Sequence, residues 1–360
     1  MSGGTLGAYG GMAIPDVSAV SLANTSGVAL TLGSSEAIGS LAGGGTTGGN
    51  ISLDSNTLTI NQSATATYGG VISGAGGSLV KAGTGTLTLG NNASSFSGDL
   101  VVSAGTLATG TSAGGGTNGY LGAVNGSRTI TVGAGATLSF LANNQFGGSG
   151  KNAAGIPTVV VDGGTLNATR FNILGNVVLN GATLSQSTTD SGNYDGYEFI
   201  GGTITVGGSA ASTIATGNGS ANHLAGGRVT TFDVADATAS TAADLVVSAP
   251  LRDGSNDYPG AGALRKIGAG TLSLAAVNSF TGALTVAGGT LDATVGSTTG
   301  TASALGGGSN TIAVNQGATL RLSGGSRTAG YHSGAVTVDG HNITFNTTDN
   351  NLAGGNPLTL

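Results

Sequence analysis

The chain of 360 residues has no cysteine and no tryptophan, only 5 prolines, and just 10 Lys and Arg against 16 Asp and Glu. Without cysteine there is no disulfide framework, no thiol chemistry and no thiolate-bound zinc. Charged residues make up 7% of the chain, where an ordinary soluble domain has about 25%. Surface polarity therefore has to come from Ser, Thr, Asn and the backbone. The few basic residues are scattered and the net charge is −6, which argues against a nucleic-acid or anionic-membrane surface. No apolar run approaches the roughly 20 residues of a membrane-spanning helix. The opening Met1-Ser2-Gly3-Gly4 has neither the charged n-region nor the apolar h-region of a signal peptide. What is abundant is glycine, at 71 residues, beside a hydrophobic fraction of 38%. Such a composition permits either low-complexity disorder or a fold that spreads a thin core along its length.

Periodicity decides between them. The word Gly-Thr-Leu, or Gly-x-Thr-Leu, recurs at Thr5-Leu6, Thr86-Leu87, Thr106-Leu107, Thr137-Leu138, Thr165-Leu166, Thr183-Leu184, Thr271-Leu272, Thr290-Leu291 and Thr319-Leu320. Between Leu184 and Leu272 the words around Ile204, Val229 and Val246 are read as continuing the period. Spacings of this size suit one coil of a solenoid with loops of variable length. A longer duplication lies above the short one. Lys81-Ala-Gly-Thr-Gly-Thr-Leu-Thr-Leu aligns with Lys266-Ile-Gly-Ala-Gly-Thr-Leu-Ser-Leu, and Phe96-Ser-Gly-Asp-Leu-Val-Val with Phe280-Thr-Gly-Ala-Leu-Thr-Val. Further on, Thr129-Ile-Thr-Val matches Thr311-Ile-Ala-Val, and Val161-Asp-Gly matches Val338-Asp-Gly. Two modules are expected, residues 1–190 and 191–360, running on as one solenoid.

Within a word the pattern has period two. In Thr86-Leu87-Thr88-Leu89 the leucines fall on one face and the threonines on the other, as in a half-buried strand. Leu100 and Val102 are expected to face inward and Val101 outward. No segment shows sustained helical spacing. Strands of four or five residues cannot bury a core alone, but stacked coils pile their Leu, Ile and Val into one thin column and pair every inner strand on both sides. The expected fold is all-β: a right-handed parallel β-helix in a single elongated rod. At about 20 residues per coil and ~4.8 Å between coils, it would be roughly 85 Å long.

The stretch from Ile72 through Lys81-Ala-Gly-Thr-Gly-Thr-Leu-Thr-Leu and Phe96-Ser-Gly to Ala104-Gly-Thr-Leu107 resembles the passenger-associated transport repeat of bacterial autotransporters. Gly262-Ala-Leu-Arg-Lys-Ile-Gly-Ala-Gly-Thr-Leu-Ser-Leu274, continuing through Phe280-Thr-Gly to Gly289-Thr-Leu291, resembles it again. The repeats are placed at about 72–108 and 262–293. Both copies keep the lysine, the Gly-Thr-Leu pair, the aromatic and the closing word; they differ at Ser97 against Thr281. The resemblance implies a secreted Gram-negative surface protein whose passenger threads through its own C-terminal outer-membrane barrel and folds outside. The words are cut at Gly3-Gly-Thr-Leu6 and at Asn356-Pro-Leu-Thr-Leu360, so a segment of a longer passenger is expected, truncated at both ends, with signal peptide and barrel beyond it.

Candidate sites are weighed against plainer readings. Asp190-Ser-Gly-Asn-Tyr-Asp195-Gly-Tyr-Glu198 is the densest acidic cluster. Converging carboxylates could bind or hydrolyse a glycan, but a solvated loop is the simpler reading. Asp253-Gly-Ser-Asn-Asp257 offers oxygen ligands without any calcium-loop spacing and reads as an Asx-rich turn. Asp233 and Asp236 read as strand-end polar residues. His223, His332 and His341 are far apart in sequence and read as solvated. Gly147-Gly-Ser-Gly-Lys151-Asn lacks the first Gly and the Ser or Thr of a phosphate loop. Lys81 and Lys266 read as loop caps or edge guards, and Phe96 and Phe280 as core plugs beneath a loop. No catalytic, cofactor or metal residue is assigned, and no cofactor is expected. The expected role is structural: a stalk that folds stepwise during secretion and presents surface loops for adhesion to host or biofilm glycans or proteins. Alternatives are a self-associating adhesin or biofilm module, and a carbohydrate-active β-helix enzyme, for which 26 charges over the chain leave little to line a groove.

Overall fold

The computed structural model describes residues 1–114, 116–187, 194–217, 220–296, 302–307 and 310–323, and the backbone of four further strands within 329–359. Contacts divide the chain into two units, Met1–Ile173 and Leu174–Leu360. Each is built from parallel strands on three faces, visited in the order first, second, third.

In the first unit the first face runs through Glu36–Ile38, Thr57–Asn61, Ser78–Ala82, Leu100–Val102, Thr129–Val132 and Thr158–Asp162. The second face runs from Ala19–Leu22 through Thr86–Leu89 and Thr106–Thr109 to Thr165–Ala168. The third holds Thr5–Ala8, Ala29–Leu32, Asn50–Ser52 and Ile72–Ser73. Register makes the core: Leu87, Leu107, Leu138 and Leu166 are successive partners, and each is fully buried. Their flanking threonines, Thr86, Thr106, Thr137 and Thr165, form a matching ladder, since side chains alternate between the two sides of a strand. Leu100 and Val102 point inward and Val101 outward, as the sequence predicts. Thr5-Leu6 departs from the pattern: it lies on the third face with Leu6 40% exposed.

The second unit repeats the plan. Its first face takes Val177–Asn180, Thr203–Gly207, Val229–Val234, Ala263–Ile267, Leu284–Val286 and Ile312–Asn315, and its third face Tyr197–Phe199, Asn222–Leu224 and Leu251–Asp253. On the second face Leu272, Leu291 and Leu320 are register partners. The expectation about Ile204, Val229 and Val246 is corrected here. Ile204 belongs to the first face, Val229 is 50% exposed, and Val246 points outward between inward Leu245 and Val247. The second-face column instead runs Leu184, Ile214, Val247, Leu274. Its companion column holds Ser212 beside Leu245 and Leu272. Ser212 is fully buried, and its hydroxyl accepts the Ala182 N–H at 3.1 Å, so a polar residue breaks the Thr-Leu word without leaving a buried group unpaired.

The match of Val161 with Val338 also fails. Val161 sits in a parallel strand, whereas Ala335–Val338 pairs antiparallel on both sides. Nor are coils uniformly about 20 residues: the register partners Leu79, Leu100, Ile130 and Val159 are 21, 30 and 29 residues apart. The additional residues lie in connecting loops, where insertions cost little.

Candidate functional site

Each unit contains one transport repeat, and the two have the same interior. Leu79, Lys81, Leu87, Phe96, Leu100, Val102 and Leu107 in the first unit correspond to Leu264, Lys266, Leu272, Phe280, Leu284, Val286 and Leu291 in the second, all buried. Lysine is the exception in this apolar set. Lys81 stacks between Ile60 and Val102, and Lys266 between Phe232 and Val286, both at inward first-face positions. Neither is an edge guard: both are 0% exposed, and each caps its turns from within the core.

A buried ammonium is tolerated only when its donors are used. Lys81 Nζ donates to the carbonyls of Ala82 at 3.0 Å, Gly83 at 2.8 Å and Ala104 at 3.0 Å. Lys266 Nζ donates to Ile267 at 2.7 Å, Gly268 at 2.9 Å and Gly288 at 3.1 Å. Two carbonyls come from the turn just after the lysine and the third from the equivalent turn of the next coil, so each ammonium clips one coil to its successor. Gly83 and Gly268 take φ +73° and +78°, a left-handed conformation that glycine adopts without penalty. Burial pulls both amines down to about 8, with Asp233 and Asp244 opposing the shift at Lys266.

Phe96 and Phe280 are core plugs, as expected from sequence. A short hairpin closes over each: the Phe96 carbonyl accepts Ala123 N–H and the Phe280 carbonyl accepts Gly307 N–H, both at 2.9 Å. The first plug has an additional lid. The Arg128 guanidinium lies 4.9 Å from the Phe96 ring centroid and donates from Nε to the Gly98 carbonyl at 2.7 Å. Burial lowers Arg128 to about 10, against the pull of Asp99. The residue before the repeat glycine anchors the loop differently in the two copies. Ser97 Oγ accepts Gly76 N–H at 2.8 Å. Thr281 donates its N–H and its hydroxyl to the two oxygens of Asp253, at 2.7 and 2.6 Å.

The third face of the second unit gathers the polar residues. Glu198 pairs in register with His223, and His223 with Arg252. His223 is 1% exposed, which corrects its reading as a solvated residue. Its Nε2 lies 3.0 Å from Asp195 Oδ1 and its Nδ1 2.8 Å from the Asp253 carbonyl. Asp195 also accepts the Ala221 N–H at 3.0 Å and approaches Arg252 at 3.4 Å. Burial raises its carboxyl, but the bonds from His223 and Ala221 and the charge of Arg252 prevail and hold it below the ordinary value. Glu198 accepts the Ser255 N–H at 3.0 Å and its hydroxyl, yet burial dominates and raises its pKa. The acidic cluster is therefore an inward-packed network rather than a solvated loop. Asp190 lies outside the described residues.

The Asp253–Asp257 turn packs against this network, through the Asp253 carbonyl on His223, Ser255 on Glu198 and Asp257 on Tyr194. Asp253 anchors Thr281, and Asp257 meets Tyr194 at 3.4 Å, so the turn is held by its own protein partners. Asp233 is the penultimate residue of the strand Val229–Val234, and Asp236 follows the strand, exposed. Lys151 donates to the Gly116 carbonyl at 3.2 Å and is followed only by a single 3-10 turn, Ala153–Gly155. His332 and His341 stand in strands whose side chains lie outside the described residues. Among the described residues no group of three or more His, Asp or Glu is placed to hold a metal ion.

The His223 network was missed in the sequence because the third-face strands of the second unit carry no period-two signal. Tyr197, Glu198 and Phe199 are all buried, as are Asn222, His223 and Leu224. The signal that could have found it is the recurrence of a three-residue word with an ionisable residue at its centre: Tyr-Glu-Phe, Asn-His-Leu, Leu-Arg-Asp.

Among known proteins, the family passenger-associated transport repeat matches residues 79–108 and 264–293. No curated protein and no solved structure matches the chain. The two matched segments are the ones that carry the lysine clip and the phenylalanine plug. The chain thus bears two passenger-associated transport repeats, one in each structural unit.

Proposed function

We propose that the chain is a structural segment of a secreted passenger, and that its two repeats are folding stations at which newly exported coils become fixed. The observation that carries this reading is the lysine clip. In both repeats one ammonium bonds the turn of its own coil and the turn of the next. A coil emerging from a pore has no partner beyond the coil before it, and contacts in a solenoid are between neighbours. A clip that forms as soon as the next turn appears disfavours backsliding. The partner in that process is the protein's own outer-membrane barrel, and the place of action is the bacterial cell surface. The role is structural rather than catalytic: Asp195, Glu198 and His223, the residues best suited to acid–base chemistry, are buried and engaged with protein partners. Loops leaving the coils serve as the presented surface, in keeping with a stalk that supports adhesion.

The test is secretion of the full-length parent protein carrying Lys81→Met, Lys266→Met or both, followed by pulse labelling and surface protease accessibility. Slower appearance of the passenger outside, greatest for the double variant, supports the proposal. Unchanged export kinetics in the double variant, with the purified passenger measurably destabilised, would confine the clip to stability and remove its role in export.

A further inference from the structure

Loop 235–243 of the second unit overhangs the outer side of the second face and leaves a recess of about 220 Å³. Its lining includes Asp236, Ser240 and Thr241 from the loop, Thr271 and Thr290 from the threonine ladder below, and Arg321 one coil further on. The recess is built from fixed parts. Asp244, 1% exposed, pins the overhang by accepting the Thr238 N–H at 2.8 Å and its hydroxyl at 3.0 Å, and pins the floor by accepting the Thr271 N–H at 2.8 Å. Arg321 is oriented by Asp292 at 2.7 Å, its register partner on the adjacent strand.

The side-chain inventory defines the ligand. Among the described residues, the Asp236 carboxylate and the hydroxyls of Thr241, Thr271 and Thr290 have no hydrogen-bond partner in the protein, and Arg321 uses only one of its nitrogens. A guanidinium has five donors and a carboxylate about four acceptor sites, so the recess offers both kinds of group at close quarters. The Arg321 charge is already matched by Asp292, and the Asp244 oxygens are occupied. The charge left unmatched is that of Asp236, which opposes an anionic ligand. The apolar share of the lining is small, chiefly Ala269 and threonine methyls, and no aromatic ring contributes. The volume lies below the roughly 300–1,000 Å³ of sites for drug-sized molecules.

From this we infer that the recess is a binding site for a single neutral sugar residue. Asp236 accepts an adjacent pair of its hydroxyls, Arg321 donates to another of its oxygens, and the threonine ladder provides the floor. The inference deepens the reading of the coil loops as a presented surface. It does not depend on the lysine clips, so failure of one leaves the other standing.

The experiment titrates the complete chain with the methyl glycosides of glucose, galactose and mannose, with N-acetylglucosamine, and with glucuronic acid, following amide and threonine-methyl shifts by NMR. Saturable binding of at least one neutral sugar is expected, with shifts confined to Thr241, Thr271, Thr290 and Arg321. Asp236→Asn combined with Thr241→Val should weaken it at least about tenfold while leaving the melting temperature unchanged, because both residues are exposed and make no protein hydrogen bond. Absence of saturable binding by every neutral sugar, binding that is unaffected in the double variant, or binding of glucuronic acid alone would each overturn the inference.

Discussion

A cation placed among isoleucine and valine side chains pays a desolvation cost that only well-aimed acceptors offset. Lys81 and Lys266 each find three carbonyls, and methionine would fill the same space without using them. Lys81→Met and Lys266→Met should each lose about 1–3 kcal/mol, the usual cost of unmatched buried polar groups. The two lysines share no partner, so the losses should add to within about 0.5 kcal/mol in chemical denaturation. The titration has a defined sign. The amines fall to about 8 in the folded protein from about 10.4 in an unfolded chain, so between these values the unfolded state binds more protons. The desolvation penalty on the charged amine is therefore absent above the upper value and complete once pH has fallen through about 8, so the loss on replacing the lysines is smallest at neutral pH and grows towards about pH 10. Across pH 8–10 the stability of the wild type should rise relative to the double lysine variant; a flat difference would show that the amines are not shifted. Glu198 has the opposite sign. Burial raises its pKa, so its contribution is present below about 4.3 and lost as pH rises through the folded value. Glu198→Gln should remove that slope and be at least as stable as wild type at pH 7, measured by thermal melting across pH 4–8.

At the scale of strands and turns, much was legible. The Thr86–Leu89 word and the first-face strands of the repeats alternate because one side of each strand is core, and the period-two reading of Leu87, Leu89, Leu100 and Val102 holds residue by residue, whereas Thr271–Leu274, the counterpart of Thr86–Leu89, is buried throughout. Alternation was silent for the third face of the second unit, where Tyr197–Phe199 and Asn222–Leu224 are buried throughout. At the lysines it was charge that misled, by suggesting an edge, whereas the alternation, Leu79-x-Lys81, pointed inward. Ser212 in a leucine slot erased one Thr-Leu word and pushed the reading onto Ile204 and Val229, which belong to another face. The repeat loops are held equally tightly. A Cβ on Gly98 would lie 2.5 Å from the Gly76 carbonyl oxygen, and one on Gly282 would lie 2.3 Å from that of Gly262. Alanine at either position must therefore displace backbone, and each variant should melt well below wild type, whereas alanine at Gly135, which has nothing within 4 Å, should meet only the cost of its positive φ. Truncating the plugs is more severe: Phe96→Ala should cost about 3–5 kcal/mol, as read from the denaturation midpoint, and Phe280→Ala a similar amount.

At the scale of the whole chain, composition and mechanism agree. Few charges, no cysteine and few bulky aromatics suit the proposed threading, and stability assembled from contacts between adjacent coils suits stepwise folding. If the repeats are the stations at which coils become fixed, they must acquire protection before the coils around them. Pulsed hydrogen exchange during refolding of the purified chain, resolved by mass spectrometry, reads this order directly. The account predicts that peptides spanning 79–108 and 264–293 are protected first in the wild type, and that the Lys81→Met, Lys266→Met double variant delays those peptides before any others. Simultaneous protection of all coils, with the same time course in the variant, would contradict it.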